Sequence, residues 1–464
     1  MNGAGLPRGV LDHLREAAGD DAVSVDPEAV ERCAADETED LRFLPAAVVR
    51  PRRREAVAAV LGTCLDAGVP VTPRGGGTGL SGGALPVEGG VVLDLTGLDR
   101  IVAIDEANMT VTVEPGVVTE VLQDAVEARG LFYPPDPASR GSCTIGGNIA
   151  EDAGGPRAVK YGTTGAWVMA LEAVTMDGTV VRTGSACRKD VAGYDLTRLL
   201  VGSEGTLAVV TEATLRLIPA PAARRLFLAA FPDLESGIGG VLEVLGRVTP
   251  SVCEYLEAAA VEVAAAYIGE PAPVPGSGSY VLVELDGENE TVVDAQLEVA
   301  GSAMERAGAS GILVAMTPRE EASLWRLRRA TGEAVKAISP YREIDCAVPR
   351  PRIPELIAGV KAIARRHGVD TICYGHAGDG NVHVNVLRRE LDGERWRRVL
   401  PPLAGEVFRF TVGLGGTITG EHGVGWINRE AMRLRHGPAE LELMRRIKSA
   451  FDPRGLLNPG KVLP

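Results

Sequence analysis

The residues best suited to chemistry stand late in the chain, in the stretch 371–387, TICYGHAGDGNVHVNVL. Three of the chain's six histidines fall here or shortly after, at His376, His383 and His422. Val382, Val384 and Val386 alternate with His383 and Asn385, which is strand spacing. Asp379-Gly380 is a two-residue hairpin signal. With that turn His376 is expected to face His383 across the hairpin, Cβ atoms roughly 5 Å apart and on one face with Asn385. Two imidazoles that close suit one divalent cation. A polar hairpin face turned to water would explain one histidine, but less naturally the pair. The stretch 415–425, GGTITGEHGVG, offers a third ligand. Glycines on both sides let the backbone aim the Glu421 carboxylate and the His422 imidazole in different directions.

A second centre lies at residues 71–101, VTPRGGGTGLSGGALPVEGGVVLDLTGLDRI, with glycine at 75, 76, 77, 79, 82, 83, 89 and 90. Glycine this dense costs conformational entropy and is kept where the backbone needs it. Successive N–H groups can turn toward one point and cradle a phosphate, with Arg74 adding a fixed charge at the mouth. Gly77, Gly79 and Gly82 spell G-x-G-x-x-G, and Asp99 lies near the ribose-binding spacing of a Rossmann site. That fingerprint must open a helix. Here the loop runs into GGALPVEGG, where glycine and proline exclude one, so the match is read as fortuitous.

Two more glycine-bearing stretches follow, 134–165 (PPDPASRGSCTIGGNIAEDAGGPRAVKYGTTG) and LLVGSEGTLAVVTEATLRLIP, read as a strand pair broken at Gly202-Ser203-Glu204-Gly205. Three such turns on a strand-rich framework suggest a long ligand, and a dinucleotide such as FAD fits. Tight turns in a plain sheet domain are the alternative.

The elements around these stretches are legible from periodicity. Val10, Leu11 and Leu14 mark one face of helical pieces over 7–40. Residues 43–49 read as a strand and 53–67 as a helix. Residues 101–113 read as two strands around a turn at 106–108, and 117–129 as a helix ending at Gly130. Residues 171–176 and 179–183 form a hairpin around Asp177-Gly178, while 280–285 reads as a strand and 292–306 as a helix.

The 464 residues suffice for two or three domains. Net charge is −14, and no basic stripe interleaves with aromatics, which excludes nucleic acid as a partner. Seven scattered cysteines with no C-x-x-C give neither a disulfide framework nor an iron–sulfur ligand set. No run approaches the ~20 apolar residues of a membrane span, and the N-terminus lacks a signal-peptide core. The expected location is the cytoplasm.

PRGGGTGLSGG, TIGGNIAEDAGGPRAVKYG, KDVAGYDLTRLLVGSEGTL and FDPRGLLNPGKVLP resemble the FAD-linked oxidase family of the vanillyl-alcohol oxidase/p-cresol methylhydroxylase fold. The nearest branch resembles the flavoprotein chain of glycolate oxidase and bacterial D-lactate dehydrogenases, in register from about Pro45 to Pro464. The resemblance implies an α+β chain: a helical segment at 1–40, a two-part FAD-binding domain at 41–219, a cap domain with an antiparallel sheet at 220–415, and a return to the FAD domain at 416–464. Covalent flavin in this fold often uses a histidine in the first glycine loop. Residues 72–90 hold none, so noncovalent FAD is expected.

Carried over by position, the pyrophosphate would sit on Arg74, Gly75, Gly76, Gly77, Thr78 and Gly79. Pro135, Asp136, Ser139, Thr144, Gly146, Gly147, Asn148, Gly154 and Gly155 would line the flavin. Glu204, Gly205 and Val210 would lie near the nucleotide, with Asn458 as a further cofactor contact. Ala208 departs from the family's usual glycine. His376, His383 and Glu421 match ligands of a divalent metal, zinc by preference, with manganese or iron(II) also suited. His422 matches the catalytic base, Arg328 the substrate-binding arginine and Asn385 a further substrate contact. For Arg326 and Arg329 a solvated helix face is expected. A lysine of the hydroxyglutarate branch is replaced by Glu343, which points to glycolate or lactate as substrate.

The implied activity is metal-assisted oxidation of a small D-2-hydroxy acid. Electrons would pass to an external acceptor: an iron–sulfur subunit, a quinone or an electron-transferring flavoprotein, at the inner face of a membrane if that partner is bound there. Homo-oligomers are compatible with all of this. The alternative is a non-redox alkyl/acyl exchange enzyme of the alkyl-dihydroxyacetonephosphate synthase type.

Overall fold

A computed structural model of the protein describes residues 5–464. Two compact units emerge. The first is Met1–Gly154, Thr163–Ala220 and Glu421–Pro464; the second is Gly155–Gly162 and Pro221–Gly420. The segment up to residue 40 thus belongs to the first unit rather than standing apart. Gly155–Gly162 interrupts the expected 41–219 domain, and the return begins at Glu421 rather than at 416.

In the first unit β1 (Val23–Ser24), β2 (Ala47–Val49), β3 (Val71–Arg74) and β4 (Val91–Asp94) form a sheet in the order β1-β2-β4-β3, with β2, β4 and β3 parallel. Parallel strands need a crossover, and the helix Arg54–Ala67 carries the chain from β2 to β3, the two strands that flank β4. Its Val57, Val60, Leu61 and Cys64 recur at helical spacing and pack on Val49, Val71, Val91 and Leu93. Gly68 ends the helix in the left-handed conformation, at φ 66.

The chain continues through β5 (Ile101–Asp105), β6 (Thr110–Val113), β7 (Leu131–Phe132), β8 (Val168–Val174), β9 (Val180–Gly184), β10 (Val209–Arg216) and β11 (Ile218–Pro219). A five-stranded antiparallel sheet runs β5-β6-β10-β8-β9, and β7 pairs with β11. The stretch between β3 and β4 contains no helix, so its G-x-G-x-x-G is not a Rossmann turn. Two sequence expectations give way. Leu199 and Leu200, read as the start of a strand, instead close a helix, Leu196–Leu200. Asp195 caps that helix by accepting from Arg198 N at 2.9 Å. The two glycines at 146–147 sit inside a short helix, Ile145–Glu151, opened by Thr144.

The second unit is built on one antiparallel sheet: β12 (Ala223–Phe231), β13 (Val252–Glu257), β14 (Ser279–Gly287), β15 (Gly311–Val314), β16 (Tyr341–Ala347), β17 (Asp370–Gly375) and β18 (Asn381–Leu387). Their order is β15-β12-β14-β13-β17-β18-β16. Side chains alternate between faces. On one face Leu226, Leu228, Leu256, Leu282, Ile372, Tyr374 and Leu387 form a core with Ala260, Val261 and Ala264 of the helix Ala258–Ile268 and with Leu327, Ala334 and Val335 of the helix Pro318–Ile338. The latter helix starts at a reciprocal capping box between Thr317 and Glu320. The same face carries Glu254, His383, Asn385 and Glu343, at alternate positions with core residues of their strands. Among the described residues no helix is long and apolar enough to cross a membrane.

Candidate active site

The β17–β18 hairpin brings the two histidines together, but not in the expected register. His383 lies opposite Tyr374, not His376. His376 O accepts from both Gly380 N and Asn381 N, so the turn is longer than two residues. The imidazoles meet diagonally instead. Their Nε2 atoms stand 3.4 Å apart, the rings at 89° to each other, and both residues are buried. Diagonal neighbours on a sheet face remain within reach for side chains of this length.

Each ring is backed by a carboxylate. His376 Nδ1 donates to Glu254 Oε1 at 2.7 Å. His383 Nδ1 lies 3.0 Å from Glu343 Oε1 and 3.9 Å from Asp345 Oδ1. Asp345 is itself held by Asn381 Nδ2 at 2.6 Å, Thr419 Oγ1 at 2.7 Å and Gly420 N at 2.7 Å. The hydrogen bond from His376 Nδ1 to Glu254 fixes that ring's tautomer and leaves its Nε2 lone pair free for a metal, whereas His383 Nδ1 only lies near its carboxylates. Two nitrogens each about 2.0–2.1 Å from a tetrahedral zinc stand about 3.3–3.4 Å apart. The Nε2 separation fits that requirement, so the donor set suits the divalent metal expected from the sequence.

Arg328, on the helix Pro318–Ile338, is buried beside this pair. Its Nε donates to Glu254 Oε2 at 2.7 Å, its Nη2 stands 2.5 Å from the same oxygen in an ion pair, and its guanidinium carbon lies 5.2 Å from the Tyr374 ring centre. One guanidinium edge is therefore committed within the protein, and an anion must use the other. Burial alone would raise the Glu254 carboxyl, but His376 and Arg328 outweigh it and hold the group below the usual carboxylate range. Asn385 is fully buried and gives its amide N–H to Ile372 O at 3.2 Å. Arg326 pairs with Glu270, and Arg329 lies over the Trp325 ring. Glu254 escaped the sequence reading, although a charged residue alternating with Val252 and Leu256 on a core face was a signal.

In the first unit a cleft is lined by Arg74–Gly79, Ser139, Thr144, Gly146, Gly147, Asn148, Gly154, Glu204, Gly205 and Val210, and also by Ala208, Glu151, Glu421 and His422. Three expected cofactor contacts of this unit lie outside the lining: Pro135, Asp136 and Asn458. Gly155 clusters with the second unit. Asn458 works from behind, donating to Gly83 O at 3.1 Å and Glu204 O at 2.8 Å. The cradle is tight. A Cβ on Gly75 would stand 2.5 Å from Thr144 Oγ1, and one on Gly76 would overlap Ser142 O. Arg74 Nη1 is buried with no hydrogen-bond partner, which suits an anionic phosphate. These features fit FAD.

Glu204 fixes the loop that bears His422. Its two oxygens accept from Val424 N and Gly425 N, each at 2.7 Å. A Cβ on Gly423, at φ 76, would overlap Glu151 Oε2 and stand 3.0 Å from Glu204 Oε1, so the two carboxylates flank that glycine. Burial pushes both carboxyls up, and for Glu151 the charges of Glu204 and Asp36 add to it. Burial also brings Lys461 down to about 8, against the pull of Asp36 and Glu204. Within this loop His422 Nε2 lies 3.9 Å from Glu421 Oε1.

Residues 45–184 match the family described as FAD binding domain, and residues 220–462 match FAD linked oxidases, C-terminal domain. The chain is 39% identical over 431 residues to the glycolate oxidase subunit GlcD of Bacillus subtilis (strain 168), covering 92% of this chain and 91% of that one. It is 35% identical over 425 residues to a D-lactate dehydrogenase of Anaerostipes hadrus, covering 90% and 89%. In fold it is similar to p-cresol methylhydroxylase with substrate bound, at a TM-score of 0.81 and 20% identity over 99% of this chain and 98% of that one.

Proposed function

The chain belongs to the FAD linked oxidase family and is an oxidoreductase, and on that premise we propose that it oxidises a small D-2-hydroxy acid, glycolate or D-lactate, to the 2-oxo acid. One observation carries the reading: two buried imidazoles with Nε2 atoms 3.4 Å apart, beside a buried arginine. The relatives' names, a glycolate oxidase subunit and a D-lactate dehydrogenase, supply the substrate class.

In this reading His376, His383 and Glu421 hold a divalent metal. Arg328 takes the substrate carboxylate on the guanidinium edge that Glu254 leaves open, which orients the α-hydrogen. Asn385 is a further substrate contact. His422 accepts the hydroxyl proton on an imidazole nitrogen. When bound, the metal supplies Lewis acidity at the hydroxyl and FAD the acceptor for the α-hydrogen with its electron pair. Glu343, 3.0 Å from His383, sets a negative charge where a second substrate carboxylate would be repelled. That favours glycolate or lactate over a dicarboxylate.

Electrons then pass to an external acceptor, an iron–sulfur subunit, a quinone or an electron-transferring flavoprotein. The word "subunit" in one relative's name is in keeping with such a partner. Cytoplasmic residence, with peripheral membrane attachment through the partner, belongs to the same proposal. The test is His383→Ala together with removal of metal by a chelator. The variant should keep bound FAD and lose most turnover, and chelation should silence the wild type. Full activity after metal removal would end the metal-assisted mechanism.

A further inference from the structure

Glu254 touches both halves of the chemistry in the second unit. It lies on β13, where Leu256 pairs with Tyr374 of β17, so two residues back Glu254 comes level with His376 on the same face. It is fully buried, and both of its oxygens are used. Oε1 accepts from His376 Nδ1 at 2.7 Å. Oε2 accepts from Arg328 Nε at 2.7 Å and stands 2.5 Å from Nη2.

We propose that Glu254 is a positioning residue that couples the metal-binding imidazole of His376 to the substrate-binding guanidinium of Arg328. This rests on the functional reading above, which assigns those two roles. The carboxylate does two things at once. It holds the His376 N–H at Nδ1, so that the Nε2 lone pair points at His383. It also occupies the Nε–Nη2 edge of Arg328, so that the guanidinium plane is fixed and only the other edge meets the substrate. A shift at either end is transmitted to the other, because one rigid carboxylate serves both. Glu343 is the natural comparison. It stands 3.0 Å from His383 Nδ1 without the hydrogen bond that Glu254 accepts from His376, and the guanidinium of Arg328 is clasped by Glu254.

The experiment compares Glu254→Gln, Glu343→Gln and Arg328→Lys as flavin-loaded protein, with flavin content and unfolding midpoint recorded for each. Zinc is titrated into the metal-free protein, and KM and kcat for glycolate and D-lactate are measured at saturating zinc. Loss of a carboxylate behind a ligating histidine is expected to weaken zinc binding about 10–100-fold, in Glu254→Gln and Glu343→Gln alike. At saturating zinc, KM should stay at least tenfold raised in Glu254→Gln.

Arg328→Lys keeps the charge but loses the planar fork, and Arg328 bonds no proposed metal ligand directly. It should nonetheless weaken zinc binding severalfold. That variant carries the test if Glu254→Gln fails to fold. Unchanged zinc affinity in Arg328→Lys, or a normal KM for Glu254→Gln at saturating zinc, would overturn the coupling while leaving the site assignment intact. A wild type that binds no zinc and is reduced by neither acid would overturn the assignment itself, and the coupling with it.

Discussion

Gly423, in the loop that carries His422, is a position where one methyl group should be costly. Its φ of 76 lies in the left-handed region, and a Cβ there would overlap Glu151 Oε2 and stand 3.0 Å from Glu204 Oε1. The backbone term for alanine is about 1–2 kcal/mol. Glu204 cannot retreat freely, because it is tied to Val424 N and Gly425 N, and Glu151 Oε2 is buried, so moving it displaces packed neighbours. Overpacking of this kind adds about 1–3 kcal/mol. Gly423→Ala should therefore lose roughly 2–5 kcal/mol, read as a lower midpoint in urea unfolding of the flavin-loaded protein. Because the loop carries His422, substrate-driven flavin reduction should slow as well. The double variant Glu151→Ala/Gly423→Ala separates the two terms: it removes the overlap and leaves the backbone strain, so it should recover about 1–3 kcal/mol. A single variant within about 0.5 kcal/mol of wild type, reduced at the normal rate, would refute the reasoning.

Other expectations follow from single observations. The Glu151 carboxyl sits above its ordinary value of 4.5, so the folded state holds that proton more tightly. Its contribution to stability is complete below about 4.5 and is lost as pH rises toward the folded value. Glu151→Gln should accordingly gain on wild type between pH 5 and pH 8, and an equal gap at both pH values would contradict this. Gly76→Ala should purify with little FAD, because its Cβ overlaps the Ser142 carbonyl oxygen; full occupancy would mean that the cradle is not where FAD binds. Gly239 lies inside the helix Leu234–Leu245 with open space at its Cβ, so Gly239→Ala should raise stability by about 0.5–1 kcal/mol in the same urea assay.

Residue types proved easier to read than residue geometry. Alternation in VHVNVL announced a strand and gave the face of His383, but Asp-Gly suggested a tighter turn than the chain makes. The extra residues of the turn, Ala377 and Gly378, moved His376 to a diagonal position without separating the imidazoles. Glycine and proline in 82–90 correctly excluded a Rossmann helix. Two helices went unread: Ile145–Glu151, which reads only as part of a glycine-bearing stretch, and Leu196–Leu200, whose end reads as a strand; Thr144 and Asp195 start them. Glu254 could not be paired with His376 or Arg328 from spacing. Its partners stand 122 and 74 positions away, and only the β13–β17 pairing and the covering helix bring them together.

The most direct test of the proposed chemistry is the visible flavin spectrum of the purified protein, titrated without oxygen with glycolate, D-lactate, L-lactate and D-2-hydroxyglutarate. Bleaching by glycolate or D-lactate is expected, with L-lactate and the dicarboxylate ineffective and with the response lost after chelation. A bound flavin that none of the four acids reduces would contradict the assignment of a 2-hydroxy-acid substrate.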